Sequence, residues 1–202
     1  MMRWLHIFHR RRPRMRIRAA LTAAVTMLAL LHATGRLGAA EGPTLEYSIK
    51  ATFLQKFPDF VTWPASPERR DAPFAVCVFG EDPFGRVIDD AIGGHSVGGR
   101  PMTVRRVAAP EQATDCQILY LGRTVQPTGE ILAGLRGKPI LTVTDARTAA
   151  TAPGIVHFVI DQNRVRFAID NAAAEANQLS ISAKLLAVAV TVTPTVSSGG
   201  SR

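Results

Sequence analysis

The sequence predicts an α/β fold: a single domain with a mostly parallel sheet flanked by helices, with a C-terminal antiparallel hairpin and a long last helix. Short apolar runs such as Phe74–Phe79 and Pro139–Thr144 have the length and β-rich composition of buried strands. Segments with helical spacing alternate with these runs, as in layered α/β proteins. Near the C-terminus, Ile155–Ile160 and Arg164–Ile169 flank a short polar turn, and this arrangement predicts the hairpin.

The first helix is predicted after Thr44, where a capping residue precedes apolar side chains at helical spacing. Pro58 should kink or end this helix, because proline lacks a backbone donor and clashes with the preceding turn. We expect one buried stripe along the helix, made of Leu45, Ile49, Phe53, Leu54 and Phe57.

A second helix, from about Phe84 to Ile92, is expected to have Asp82 as its cap and Pro83 at its first position. Residues 193–202 are predicted to form a disordered tail, so that the folded domain spans residues 41–192. The other predicted elements are strands at Met102–Val107 and Gln117–Leu121, a helix near Thr128–Leu135, and the last helix from Asn171 to Val190.

The first 40 residues carry eight arginines and no acidic residue, whereas residues 41–202 hold 16 bases and 16 acids. The net charge of +8 therefore belongs to this leader and not to a surface that binds nucleic acid. A basic block, the apolar run Ala19–Ala33 and a small-residue ending predict a secretory signal peptide over residues 1–40, cleaved after Ala40. A retained membrane anchor is the alternative, although about 20 apolar residues are needed to span a bilayer. We expect a periplasmic protein, with Met1 and Met15 both open as the start of translation.

Cys77 and Cys116 are the only two cysteines, and both lie after the leader. An oxidising compartment favours a disulfide between them over a metal site, with two buried free thiols as the alternative.

No pattern after the leader supports catalysis or a cofactor. The turn Gly80–Gly85 contains two acidic residues and a proline, and the acids would repel a phosphate group. His95 and His157 lack neighbouring metal ligands, and the adjacent Asp89 and Asp90 point in different directions on a helix. The sequence therefore predicts no enzyme, no catalytic residue, no metal site and no cofactor.

Four residues are candidates for contacts with a ligand or a partner. Arg164 and Arg166 lie on the solvated face of the hairpin, where they either pair with an anionic group or remain solvated. Phe57 and Trp63 belong to an aromatic stripe that either packs in the core or forms an interface.

Four blocks of the sequence occur together in an order and spacing that match one family. They are Glu46–Leu54 with Phe57, Phe60 and Thr62–Pro64; Phe74–Gly80 with Asp82–Gly85; Cys116–Tyr120; and Val165–Ile169 with Ala173, Ala174 and Leu179–Leu186. In this combination the chain resembles the YfiR family over nearly all of residues 45–190. The chain departs from the family pattern at Lys56 and Pro58, at Asp170, and at Gln178, which replaces a glycine.

This resemblance implies an α/β fold, a homodimer and a periplasmic regulator rather than an enzyme. Proteins like YfiR repress an inner-membrane diguanylate cyclase by binding its periplasmic sensor domain, and relief of repression raises cyclic-di-GMP and promotes biofilm formation. Cys77 and Cys116 match one cysteine pair of some members, whereas a second pair, in the segment aligned with Asp145–Ala152, is absent here. Ser182 and Lys184, in the closing block, either cap backbone groups or contact a partner.

Two other classes of function are weighed against this one. A periplasmic module that binds an unknown small molecule would use the cleft at the carboxyl ends of the strands. An exported hydrolase is the least supported, because no nucleophile and base occur together.

Overall fold

The computed structural model describes residues 45–66, 70–122, 125, 128–145 and 153–195. The predicted signal peptide, residues 146–152 and residues 196–202 of the predicted tail lie outside the described residues. Within the described ranges, no helix has the length and hydropathy needed to cross a membrane.

The described chain contains five helices and ten strands. The helices are α1 (Leu45–Lys56), α2 (Arg86–Ile92), α3 (Thr128–Gly134), α4 (Asn171–Ala176) and α5 (Ala183–Val188). The strands are β1 (Val61–Thr62), β2 (Phe74–Phe79), β3 (Ser96–Val97), β4 (Arg100–Val107), β5 (Ile118–Leu121), β6 (Leu141–Asp145), β7 (Val156–Asp161), β8 (Arg164–Asp170), β9 (Ser180–Ile181) and β10 (Thr191–Thr193).

The central sheet has the strand order β10-β8-β7-β6-β5-β2-β4-β3. Strands β4, β2, β5, β6 and β7 are parallel neighbours, and β8 pairs antiparallel with β7. Numbered along the chain, the five parallel strands follow the doubly wound order 2-1-3-4-5. The predicted α/β class, with a mostly parallel sheet and a C-terminal antiparallel hairpin, is confirmed.

The two faces of the sheet have separate cores. Alternate side chains of β2 show this: Val76 packs in the cluster that contains α1, α2 and α5, and Cys77 packs in the cluster next to α3. Cys77 forms a disulfide with Cys116, which lies just before β5, and their Cα atoms are 5.9 Å apart. The predicted bridge is therefore present, and it joins β2 to the start of its neighbour β5.

Local signals in the sequence explain several element boundaries. Helix α1 ends at Lys56, and Pro58 lies in a short 3-10 turn that follows it. Asp82 does not cap α2 directly; its carboxylate accepts hydrogen bonds from the backbone N–H groups of Phe84 and Gly85, and α2 begins at Arg86.

The predicted long last helix, Asn171–Val190, is wrong. Helix α4 ends at Ala176, where the Asn177 side chain donates to the backbone oxygens of Leu135 and Ile140, and Gln178 has a left-handed φ of 60°. The chain then runs through β9, which pairs antiparallel with β1, before α5 starts behind its capping residue Ser182. Tertiary contacts thus divide this segment into two short helices.

Strand β10 follows α5 and pairs in parallel with β8 at the end of the sheet. Thr193, which the sequence places at the start of the tail, is the last residue of this strand. The pairing places the C-terminal part of the described chain against the hairpin.

Candidate interaction surface

The predicted buried stripe of α1 is only partly buried: Leu54 and Phe57 are in the core, but the stripe's first two residues are exposed. Leu45 is 77% exposed and Ile49 is 37% exposed, so the expected buried stripe is wrong for these two residues. Lys50, in contrast, is only 1% exposed. The helix buries a charged side chain and leaves apolar ones in contact with solvent, which is unusual for a helix that only covers a sheet.

A polar cluster beneath α1 explains the buried lysine. The Lys50 Nζ atom lies 2.6 Å from a carboxylate oxygen of Glu46 and 3.0 Å from one of Asp145, at the end of β6. The same Asp145 oxygen accepts a hydrogen bond from the Tyr120 hydroxyl at 2.5 Å. Lys50 also lies 4.7 Å from the ring centre of Tyr47, within cation–π range. These contacts compensate the desolvation of the ammonium group and fix which side of α1 faces the sheet.

The exposed side of α1 borders a groove with a volume of about 550 Å³. We call it the α1 groove; it is lined by Ile49, Thr52, Phe53, Lys56, Phe57, Phe60, Phe167, Lys184, Leu185 and Val188. Helices α1 and α5 supply most of these residues, and Phe167 of β8 lies between them in sequence and packs on Phe53 and Phe57. The groove is therefore an apolar, aromatic depression whose charged lining residues are both lysines.

A second depression adjoins the α1 groove along the same helix. We call it the hairpin groove; it has a volume of about 410 Å³ and is lined by Leu45, Glu46, Ile49, Phe53, Ile160, Asn163, Arg164 and Val165. Ile49 and Phe53 line both grooves. The exposed large apolar residues of the described chain include Leu45, Ile49, Ile160 and Val188, all of which line one groove or the other. Together the two grooves form a continuous apolar surface around α1.

The sequence-predicted candidates divide between this surface and other places. Phe57 forms part of the floor of the α1 groove, and Lys184 lies on its edge; Arg164 lies in the hairpin groove. Arg166 is half-buried on the opposite face of the sheet from Phe167, because neighbouring residues of a strand alternate. The structure therefore brings together three of the candidates.

Two other candidates have structural roles. Trp63 packs edge-on against Phe74 and donates its indole N–H to the backbone carbonyl of Gln117, in a separate cleft beside the starts of β2 and β4. The Ser182 hydroxyl accepts from the Leu185 N–H as the cap of α5, and the Ser182 N–H donates to the Phe60 carbonyl. Of the two roles expected for Ser182, the structure shows the capping one.

Two sets of titratable groups outside the surface are engaged in structural contacts. Arg106 binds Asp89 through two hydrogen bonds and Asp82 through a third, and the bond to Arg106 lowers the pKa of Asp89. Burial lowers the pKa of His157, whose Nδ1 lies 2.8 Å from the Thr144 hydroxyl. Within the described residues there is no cluster of three or more side chains able to hold a metal ion.

The carboxyl ends of β2 and β5, where the strand order reverses, are closely packed. The Gly122 N–H donates to the Phe79 carbonyl at 2.8 Å, and a Cβ atom at Gly122 would overlap the Glu81 carbonyl oxygen. Proteins with related topologies bind a ligand at this reversal point. Here the described residues at that point contact each other instead.

Lys50, Asp145 and Tyr120 were not selected from the sequence as site residues. The spacing of Glu46 and Lys50 is the only signal, since residues four apart on a helix form ion pairs, but such pairs are usually exposed. The pairing with Asp145 joins residues 95 positions apart, which no local pattern predicts.

Comparison with protein families identifies the relationship. A family model described as YfiR/HmsC-like matches residues 47–190, which include most of α1, every strand of the central sheet except β10, and α5. No curated protein matches the chain significantly. The chain therefore belongs to the YfiR/HmsC-like family, which is regulatory rather than catalytic, and this membership indicates a periplasmic regulator of cyclic-di-GMP signalling.

Proposed function

We propose that the protein binds the periplasmic domain of an inner-membrane diguanylate cyclase through the apolar surface around α1 and holds that cyclase inactive. The carrying observation is the orientation of α1, which buries Lys50 and exposes Leu45 and Ile49. A buried ion pair keeps this orientation although it costs desolvation free energy, and the exposed side chains then remain available to a partner. Family membership supplies the class of partner.

Repression follows from mass action. If the regulator binds only the inactive conformation of the cyclase domain, bound regulator shifts the domain toward that conformation. A coupling free energy of about 1–3 kcal/mol suffices for regulation, since it changes affinity by about 5- to 150-fold. Release of the regulator then permits cyclic-di-GMP synthesis and biofilm formation.

A homodimer is part of this proposal, and strand β10 supports it. In the described residues β10 is an edge strand of the central sheet, so one row of its backbone groups lacks a neighbouring strand. Light scattering on the exported protein measures the mass directly; a monomer at micromolar concentration would contradict the dimer without affecting the proposed binding surface.

The direct test measures binding between purified proteins. Immobilised periplasmic domains of the membrane diguanylate cyclases from the same cell are exposed to the exported protein, with binding followed by biolayer interferometry. We expect one domain to bind wild type, and Ile49→Asp to weaken that binding at least 10-fold, because an ionised carboxylate would be desolvated in the interface. Ala133→Asp on α3, at an exposed position that lines neither groove, is the control and should bind like wild type. Absence of binding to every domain would refute the proposal.

A small-molecule binding function is the second candidate. The volume of the α1 groove, about 550 Å³, falls within the range of about 300–1,000 Å³ seen for ligand pockets. This groove lies beside α1 and α5 and not at the carboxyl ends of the strands where the sequence argument expected a cleft.

A further inference from the structure

Resting on the proposed function, we propose that the α1 groove receives an amphipathic helix of the partner whose apolar side chains are flanked by carboxylates. The form of the groove, its charges and its poor fit to a second copy of the chain support this occupant.

The form of the groove suits a helix. Ile49 and Lys56 lie seven positions apart on α1, so the groove follows this helix for about two turns, or about 10 Å. Leu185 and Val188 of α5 are one turn apart along the other side. A partner helix that binds in such a groove inserts apolar side chains at positions i, i+3 or i+4, and i+7, which extend over the same length.

The charges of the groove are all of one sign. Its lining contains Lys56 and Lys184 and no acidic residue. Both lysines lie near the 3-10 turn that follows α1, because the Ser182 N–H is bonded to the Phe60 carbonyl at 2.9 Å and so holds the start of α5 there. Lys56 also has Asp59 at 3.7 Å, but both side chains are more than half exposed, and such pairs contribute little.

The adjoining hairpin groove also favours acidic side chains on a partner. Its charged lining residues are Arg164 and Glu46, and the Glu46 carboxylate already binds the buried Lys50 ammonium at 2.6 Å. A partner segment that extends from the α1 groove into the hairpin groove therefore meets Arg164 on its way. Carboxylates beside the apolar anchors complement all three bases, and they favour the correct partner and its rapid association.

A second copy of the chain fits the groove poorly. A two-fold symmetric contact through this face would place the same patch on both sides, so that Lys56 and Lys184 would face the lysines of the other copy. Like charges across an interface are unfavourable. The groove is thus better matched to a different, acidic partner than to itself.

The experiment reverses the charges of Lys56 and Lys184 and measures binding to the cyclase domain and to a charge-reversed form of that domain. Lys56→Glu/Lys184→Glu should weaken binding to the cyclase domain at least 10-fold, and the matched control Lys138→Glu, at an exposed lysine beside α3, should not. An Asp or Glu to Lys change in one helix of the cyclase domain should restore binding to the charge-reversed variant. Unchanged binding by the double variant would overturn this inference and leave the proposed function standing.

Two peptides test the chemistry without the cyclase. Both are fluorescein-labelled model helices with leucines at i, i+3, i+4 and i+7, flanked by glutamates in one and by lysines in the other. In fluorescence anisotropy the exported protein should bind the glutamate peptide at least 10-fold more tightly, and Lys56→Glu/Lys184→Glu should abolish this preference. Equal binding of the two peptides, self-association that requires Ile49, or binding of decanoate with no peptide binding would each overturn the inference. So would the failure of a cyclase domain that does bind the protein to displace either peptide. If the protein binds no cyclase domain, the proposed function fails, and the peptide comparison still decides this inference.

Discussion

Lys50 shows how a single residue determines the exposed surface of a helix. Its ammonium group is held by Glu46 and Asp145, and the alternative rotation of α1, with Leu45 and Ile49 inside, would leave Asp145 buried without this cation. A buried carboxylate without its partner costs about 3–5 kcal/mol. Full burial of an exposed side chain such as Leu45 returns about 1.5–3 kcal/mol, and Ile49, which is only 37% exposed, adds a smaller amount. The ion pair thus selects the observed orientation.

Removal of the Lys50 charge tests this balance. Lys50→Met should lower the free energy of unfolding by about 3–5 kcal/mol, because Asp145 then remains buried opposite an apolar side chain. Lys50→Met/Asp145→Leu should recover part of the loss, since it removes the buried carboxylate of Asp145 while Glu46, whose side chain is 15% exposed, keeps its charge. Urea denaturation measures both variants; a single variant as stable as wild type would contradict the assigned role.

His157 gives the folded state a defined pH dependence. Burial lowers its pKa, Asp145 acts in the opposite direction, and Lys50 lowers it further. The Thr144 hydroxyl accepts from the Gly154 N–H, which leaves its proton to donate to an unprotonated Nδ1 of His157. Since the unfolded chain binds a proton near pH 6.5 and the folded protein does so only at lower pH, stability should decrease as the pH falls below about 6.5.

His157→Gln is expected to reduce the loss of stability at low pH. Urea denaturation at several pH values between about 7 and 5 measures it, with His95→Gln at an exposed position as the control. A His157→Gln profile with the same slope as wild type would show that another group causes the pH dependence.

At the scale of elements, strands were easier to predict than helices. Phe74–Phe79 is apolar throughout and is buried between two layers, so its composition alone indicates a central strand. The segment from Asn171 to Val190 has helical composition, but the Asn177 contacts and the pairing of β9 with β1 depend on residues distant in sequence. Asn177 and Ser182 were the local signals for a helix end and a new start.

The buried side of helix α1 could not be predicted from the spacing of its own residues. Its apolar spacing predicted the helix itself, yet the buried side was set by Asp145 on β6. The candidate residues Lys184 and Arg164 lie on the surface around α1, and the buried Phe57 lies beneath it, although the grooves there were not predicted.

The close approach between the carboxyl ends of β5 and β2 predicts how a substitution at Gly122 changes stability. Gly122→Ala should destabilise the protein, because the added methyl group would overlap the backbone of Glu81 and that backbone would have to move. Gly134→Ala is the matched control, since nothing lies within 4 Å of a Cβ atom there and the residue ends α3; it should be neutral or stabilise by up to about 1 kcal/mol. Equal thermal stabilities of the two variants would contradict the packing described.

At the scale of the whole molecule, the disulfide lies in the core beside α3 and joins β2 to the start of β5. Both cysteines are fully buried, and the bond closes a loop across 39 positions. In the chain-entropy model, closure of such a loop stabilises the folded state by at most about 4 kcal/mol. Cys77→Ala/Cys116→Ala should therefore lower the free energy of unfolding by up to that amount in urea titrations, and wild type with reductant should behave alike. No loss of stability in either case would show that the bond does not constrain the unfolded chain.

We propose that the apolar surface around α1 represses a diguanylate cyclase. The most direct measurement is cellular cyclic-di-GMP after deletion of the gene, with complementation by wild type, Ile49→Asp and Ala133→Asp, and with the amounts of each protein checked by immunoblot. We expect deletion to raise cyclic-di-GMP, wild type and Ala133→Asp to restore the low level, and Ile49→Asp to leave it high while accumulating normally. An unchanged cyclic-di-GMP level after deletion, or full repression by Ile49→Asp, would show that this surface does not repress a cyclase.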